Sequence, residues 1–302
     1  AIKFKTEEGD QYCRLYSSDM IALMEELKLP RYGLSKFISE AQIQNAPRHE
    51  QQMIENLSRA GQRMMGFCKS TFFKRIDSSG FSFLLTIYRH ILRNCVFVYA
   101  IENKLPLPIG DENSLPDDYS EDTDTNSGFF GSENVDVAVD ATLHIPTELE
   151  YYIKKAAEYY NIITIKNNVA WLPSSYFKRT LKQQLKKDCD VLIEMIKLCG
   201  DWKQETDQKL NELQRLLQTE HKKDKVIIFT QYSDTARYIY NQLKKRGLSS
   251  IDVATGSSES PTACAVNFSP VSNDINDMPY EDQTRVLIAT DVLSEGQNLQ
   301  DA

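Results

Sequence analysis

Two hydrophobic periodicities divide the chain. Over its first two thirds, apolar residues recur every three or four positions, the spacing of one helix face. Met20, Ile21, Leu23, Met24 and Leu27 form a short stretch closed by Pro30. Leu84, Leu85, Tyr88, Leu92 and Cys95 repeat the pattern before Pro106 and Pro108, which cannot continue a helix. A third stripe follows Pro173, comprising Phe177, Leu181, Leu185, Leu192 and Ile196, with Ser174 or Ser175 as its expected cap. Asp207 is expected to open a further helix whose Leu210, Leu213 and Leu217 face inward.

From Lys225 onward the pattern changes. Val226–Thr230 is a nearly all-apolar run, as expected of a strand covered on both faces. Ser233 is expected to cap the next helix, in which Ala236, Ile239, Tyr240 and Leu243 share a face. Lys244, Lys245 and Arg246 stand at its negative end, and Gly247 offers a left-handed exit. Ser250–Ala254 and Val286–Ala289 read as two more strands. Strand, helix and strand at this spacing predict a parallel βαβ unit, hence an α/β lobe preceded by a mainly helical region. The expected segments are a lead-in at 1–34, helices at 35–109, an acidic loop or insertion at 110–145, helices with a linker at 146–221, and the sheet lobe at 222–302.

Charge changes this picture in one place. The chain carries a formal charge of −8, yet twelve of its acidic residues and no Lys or Arg lie between Asp111 and Glu150. Outside that block 35 basic residues meet 31 acidic ones, so the body is mildly basic and compatible with a polyanionic partner. The six cysteines (13, 68, 95, 189, 199, 264) form no C-x-x-C pair, and the four histidines (49, 90, 144, 221) are scattered. That spacing suits neither a zinc site nor a disulfide framework, and reduced thiols in a cytoplasmic compartment are expected. The longest apolar run, Cys95–Ile101, is far below the roughly 20 residues of a membrane span. No membrane partner and no metal ligand are expected.

In a parallel sheet, ligands gather beyond the carboxyl ends of the strands. Those ends carry Thr230-Gln231-Tyr232, Thr255-Gly256-Ser257 and Thr290-Asp291, small hydroxyl and glycine residues that suit phosphate oxygens. The segment Ala289-Thr-Asp-Val-Leu-Ser-Glu-Gly-Gln-Asn-Leu-Gln300 resembles motif V of superfamily-two helicases in the form ATD-x-x-SEG-x-NLQ. The closest likeness is to the Swi/Snf-like branch with its bacterial members. Val226–Tyr232 resembles motif IV, and Ile251–Ser257 the strand and turn between the two. Phe268-Ser-Pro-Val-Ser-Asn273 resembles a block of bacterial relatives, Asp207–Leu217 the helix leading into the second lobe, and Phe72-Phe-Lys-Arg-Ile-Asp-Ser-Ser79 a K-R-x-x-S-S element between the lobes. The close likeness covers about residues 68–101 and 205–302.

The resemblance implies the second RecA-like lobe of an ATP-dependent DNA translocase or helicase. Thr290, Thr230, Gln231 and Gly256 would then face nucleic acid, double-stranded DNA in the first instance, while Phe229 braces motif IV. Glu295, Gly296 and Asn298 would approach ATP, whose Mg ion a preceding RecA-like lobe would mainly hold. The resemblance also implies that residues 1–34 lead in from that lobe, and that the location is cytoplasmic, in a bacterium. The basic cluster Lys178, Arg179, Lys182, Lys186 and Lys187 is a further candidate nucleic-acid contact. Two departures stand out. Pro261 and Thr262 occupy the place where the family often has Arg, and the 302 residues contain no G-x-x-x-x-G-K-[ST], no D-E-x-H box and no motif VI. Ala1 follows no Met and the last residues fall inside a motif, so a piece of a longer protein is expected, with no catalytic residue of its own. An RNA helicase of the same superfamily and a non-catalytic RecA-like interaction module are the alternative readings.

Three lesser patterns carry less. Gly61-x₄-Gly66-Phe-Cys-Lys69-Ser70 has two residues too many before its Lys for a phosphate loop, and is read as a helix boundary. Asp122, Asp124, Asn126 and Glu133 mimic a calcium loop, but Ser127 stands where the turn needs Gly. Trp171, Tyr159 and Tyr160 suit either base stacking or core packing.

Overall fold

A computed structural model describes residues 10–111, 142–165, 169–256, 258, 260–293 and 298–301. The helical part begins with α1 (Gln11–Leu15), capped by the Asp10 carboxylate, and α2 (Ser18–Glu26), capped by the Ser17 hydroxyl. A 3₁₀ segment (Pro30–Phe37) and α3 (Glu40–Asn45) lead to the long pair α4 (Arg48–Ser78) and α5 (Gly80–Glu102). Then follow β1 (Leu107–Asp111), α6 (Leu149–Thr164), β2 (Val169–Leu172), α7 (Arg179–Cys199) and α8 (Gln208–Gln218). The sheet lobe contains β3 (Val226–Phe229), α9 (Ser233–Lys245), β4 (Ile251–Ala254), α10 (Pro261–Phe268) and β5 (Val286–Ala289). No helix among the described residues is long and apolar enough to cross a membrane.

Helix α5 is the axis of the helical part. Its residues from Gly80 to Val98 are all buried, beneath α4, α6, α7 and α9. Such a helix must place its polar groups against partners. Arg31 donates from Nε to Asn94 Oδ1 (2.8 Å) and lies 3.1 Å from His90 Nδ1. Between α4 and α5 the chain breaks at Ser79, which is fully extended (φ −162°, ψ 133°). The next residue has to be glycine, because a Cβ on Gly80 would collide with the Trp202 ring and come within 2.8 Å of Leu15 Cδ1. Trp202 is itself buried, edge-on to Tyr12 at 5.2 Å, with its indole N–H directed at the Tyr238 hydroxyl of α9 (3.4 Å).

The sheet is parallel in the order β3-β5-β4, which agrees with the α/β lobe expected after a helical region. Central β5 is wholly buried and uses both faces. Val286 and Ile288 join the core shared with α9 and the helical part, whereas Leu287 and Ala289 pack with Ala254, Ala265, Phe268 and Leu293 on the α10 side. The Phe81 ring of α5 stacks on Tyr238 (4.4 Å between centroids, 11° between planes), so one apolar core runs from the helices into the sheet lobe.

Several local expectations shift. Asp207 does cap its helix, accepting from Leu210 N–H at 3.1 Å. Ser233 is the first residue of α9 instead of its cap, which is Tyr232. Neither Ser174 nor Ser175 caps α7; they lie in a 3₁₀ turn, and Lys178 precedes the helix because its N–H is taken by Phe37 O (2.8 Å) beside the Ile38–Phe177 bridge. The Gly61–Gly66 stretch is not a helix boundary but lies inside α4. The antiparallel pair of β1 and β2 was not expected, since each strand finds its partner only across some sixty residues. Tyr160 is a core residue and the half-buried Trp171 packs against it: their rings meet edge-on at 5.6 Å, and the Tyr160 hydroxyl donates to Pro106 O. The calcium-like residues Asp122, Asp124, Asn126 and Glu133, and most of the acidic segment, lie outside the described residues.

Two predictions follow from this core. Gly80→Ala should lower stability by about 1–3 kcal/mol, the usual cost of overpacking, read as a lower urea midpoint at unchanged slope. Asp207 is buried and accepts from the Tyr238 (2.8 Å) and Tyr12 (3.3 Å) hydroxyls; burial raises its carboxyl pKa above the ordinary carboxylate value. Its proton is therefore held more tightly in the folded chain. Its contribution favours the fold below the unfolded pKa and is lost as pH climbs through the raised folded value. Asp207→Asn should flatten that part of the stability–pH curve, measured as wild type minus variant across the acid range.

Candidate nucleic-acid interface

The three parallel strands end level with one another. Phe229 and Ala254 both pair with Ala289, so Thr230, Thr255 and Thr290 begin one shared edge. Thr230 N–H donates to Ala289 O and Thr290 N–H to Ala254 O, each at 3.0 Å, carrying the ladder one residue past the strands. Thr230, Gly256 and Thr290 thus lie side by side at the carboxyl end of the sheet.

Their exposure differs. Gln231 and Gly256 are exposed, Thr230 is half-buried, and no atom lies within 4 Å of a Cβ built on Gly256. Thr290 is fully buried, and its hydroxyl has no hydrogen-bond partner among the described residues. Phe229 does not brace the strand from within; it is 59% exposed, because β3 borders the sheet and its burial falls toward its carboxyl end. The β4 turn is closed by Thr255 N–H donating to Ser258 Oγ (2.9 Å).

The turn between β3 and α9 is held from the helical part. Ser78 Oγ, in the last turn of α4, lies 3.4 Å from Thr230 Oγ1 and 2.8 Å from Thr235 Oγ1, and Thr235 donates on to Ser82 Oγ (3.0 Å). Asp234 receives Arg89 of α5 in a two-pronged contact (2.5 and 3.3 Å) and Arg75 of α4 at 3.4 Å. The Arg75 guanidinium also lies over the Tyr232 ring, 3.8 Å from its centroid. Arg75 is 0% exposed, so both its charge and its plane are committed to this junction. Nearby, Lys209 Nζ donates to Asp77 O (2.6 Å) and Ile76 O (3.3 Å), capping the carbonyl end of α4 with positive charge.

Other expected site residues lie elsewhere. Lys178, Arg179 and Lys182 occupy the start of α7, whose other end is the one nearer the sheet lobe, about 30 Å away by helical rise. Lys182 and Lys186 reach Glu102 (3.6 and 2.9 Å), Lys187 reaches Glu26 (3.0 Å), and the Lys186 hydrogen bond holds the Glu102 carboxyl below its ordinary pKa. The structure does not bring this cluster to the threonine edge. At the far end of the chain, Asn298 Nδ2 donates to Ser272 O (2.5 Å) and its carbonyl accepts from Asn273 (2.9 Å). The Asp301 carboxylate caps the same turn through Val271 and Ser272 N–H. Glu295 and Gly296 lie outside the described residues. Of the residues expected to approach ATP, Asn298 alone is described, and the described residues contain no group of three or more His, Cys, Asp or Glu able to hold a metal.

Tyr232 was expected at this edge, but no motif in the sequence pointed to Asp234 or Arg89. Arg89, with His90, Arg93 and Asn94, interrupts an otherwise apolar helix, and that interruption was the available signal.

With this geometry in place, comparison with known families bears on the sheet lobe. Residues 208–302 match the helicase conserved C-terminal domain. The match supports a helicase-type protein, and it spans α8 and the whole sheet lobe, including the threonine edge. No curated protein and no solved structure matches the chain. Within the matched region, Thr290 offers a direct check on burial. An unpartnered buried hydroxyl costs about 1–3 kcal/mol, so Thr290→Val should leave stability unchanged or raise it by about 1 kcal/mol in urea unfolding. A loss of stability would show that the hydroxyl is hydrogen-bonded.

Proposed function

We propose that the chain is part of an ATP-dependent translocase or helicase of the Swi/Snf-like type, acting on double-stranded DNA. The observation that carries this reading is the level edge of Thr230, Gly256 and Thr290 within a matched helicase C-terminal domain. Such an edge suits a sugar–phosphate backbone: Gln231, Gly256 and the Thr230 hydroxyl present small polar groups, and the parallel ladder holds them in fixed spacing. Contacts of this kind position a strand without reading its bases, so sequence preference is weak and salt dependence strong. Thr290 joins them when the edge opens enough to free its hydroxyl. Glu295, Gly296 and Asn298 approach ATP, which a preceding lobe mainly holds with its Mg ion.

One observation favours the non-catalytic alternative, namely that the Thr290 hydroxyl is covered. The two readings part in a single experiment on the intact protein. In the motor reading, duplex DNA stimulates ATP hydrolysis, and Thr290→Ala cuts that stimulation about tenfold or more while leaving the protein folded. An interaction module gives no stimulation. RNA in place of DNA, at matched length and salt, decides between the two nucleic acids. The 302 residues by themselves are expected to hydrolyse no ATP, because they contain no phosphate loop.

A further inference from the structure

We propose that Asp234, gripped by Arg75 and Arg89, is a positioning residue: it fastens the turn carrying Thr230 and Gln231 to α4 and α5, so that a bound strand and the helical region move as one body. The inference rests on the nucleic-acid reading of the edge and adds the means by which that edge is held.

The polar ties from α4 and α5 to the sheet lobe are concentrated at one place. Ser78 meets Thr230 and Thr235, Arg75 and Arg89 meet Asp234, and Arg75 covers Tyr232. All of these fall within Thr230–Thr235. Farther along, α9 meets α5 through the Phe81–Tyr238 stack, and its polar ties lead elsewhere: the Tyr238 hydroxyl donates to Asp207 (2.8 Å), and Arg246 donates to Gln204 O, Asn211 and Gln214. Those ties hold the middle and far end of α9, and the stack on α5 is non-directional, so neither fixes the turn before α9 against α4 and α5. A planar carboxylate held by the fork of Arg89 cannot turn without losing a bond. The grip is also shielded, since the Arg75, Arg89 and Asp234 side chains are 0%, 9% and 11% exposed, and salt weakens such a pair little.

Need for the tie follows from the strand. β3 is four residues long, borders the sheet and is half-exposed, and past it Thr230 is held by one ladder bond, to Ala289. A pull on a strand held at Thr230 and Gln231 would otherwise be taken up by bending this turn. With Asp234 gripped, it passes to two long helices.

The test uses the intact protein and Asp234→Asn, which keeps the shape and removes the charge. Amide exchange at Tyr232–Ala236 should rise about tenfold or more, because one partner of a buried ion pair is lost. The DNA concentration for half-maximal stimulation of ATP hydrolysis should rise about threefold or more, with the half-saturating ATP concentration unchanged. Ser78→Cys with Thr235→Cys, added to Asp234→Asn, gives a disulfide across the same junction when oxidised with excess oxidised glutathione. Thiol–disulfide exchange joins the two cysteine sulfurs and releases two reduced glutathiones. Closing it should bring the DNA requirement back toward wild type, and thiol should reverse the rescue; oxidised wild type is the control, since Cys95 and Cys189 Sγ lie 3.9 Å apart. A variant that was merely less stable would not regain DNA response through this crosslink. Should Asp234→Asn fail to fold, Ser78→Ala carries the same comparison with a smaller expected rise. Unchanged exchange, or faster exchange with an unchanged DNA requirement, overturns the positioning role while leaving the functional reading standing. Absence of any stimulation in wild type overturns the functional reading and the positioning role with it.

Discussion

One carboxylate ties the edge turn of the sheet lobe to the two long helices. Asp234 stands in the first turn of α9, where the helix dipole already favours negative charge, and two arginines from different helices converge on it. A buried carboxylate without those cations would be costly, and buried arginines without a carboxylate equally so. The three charges therefore specify one arrangement of α4, α5 and α9, and the stacking of Arg75 on Tyr232 fixes its orientation. Apolar packing supplies most of the cohesion, because a single core runs from Tyr12 and Trp202 through Tyr238 to Val286 and Ile288. It does not determine where along α9 the helices must sit.

That placement matters because the threonine edge belongs to three strands of only four residues each. Strands of four residues make few ladder bonds, and their carboxyl-end turns are positioned by whatever lies beside them. On one side the ladder itself does this, through Thr230 and Thr290 N–H. On the other, Ser78 and the Asp234 junction do it from the helical part. The match to the helicase conserved C-terminal domain begins at residue 208, so Arg75, Ser78 and Arg89 fall outside it although they hold its edge.

Much of the sheet lobe was legible from residue types. Val226–Phe229 and Val286–Ala289 are apolar runs too short for helices, and the spacing between them admits a parallel crossover. Asp207 capped its helix as expected because that bond is made three residues away. Expectations failed where the deciding partner was distant. Ser174 and Ser175 lost the cap of α7 to a bridge with Ile38, and β1 was hidden in proline and glycine until β2 paired with it. The basic residues from Lys178 to Lys187 have the composition of a phosphate contact, but Lys182, Lys186 and Lys187 sit beside Glu102 and Glu26, which no local pattern announces.

By itself the sequence determined the main helix faces, the three strands of the lobe and the threonines at their ends, because periodicity and strand length act over a few neighbouring residues. Tertiary structure decided which hydroxyls reach the surface. It buried Thr290, left Gln231 and Gly256 open, exposed Phe229 at the border of the sheet, and drew Arg75 and Arg89 onto Asp234. Burial and ion pairing depend on residues separated by more than a hundred positions, and their energies exist only once those residues have left water together.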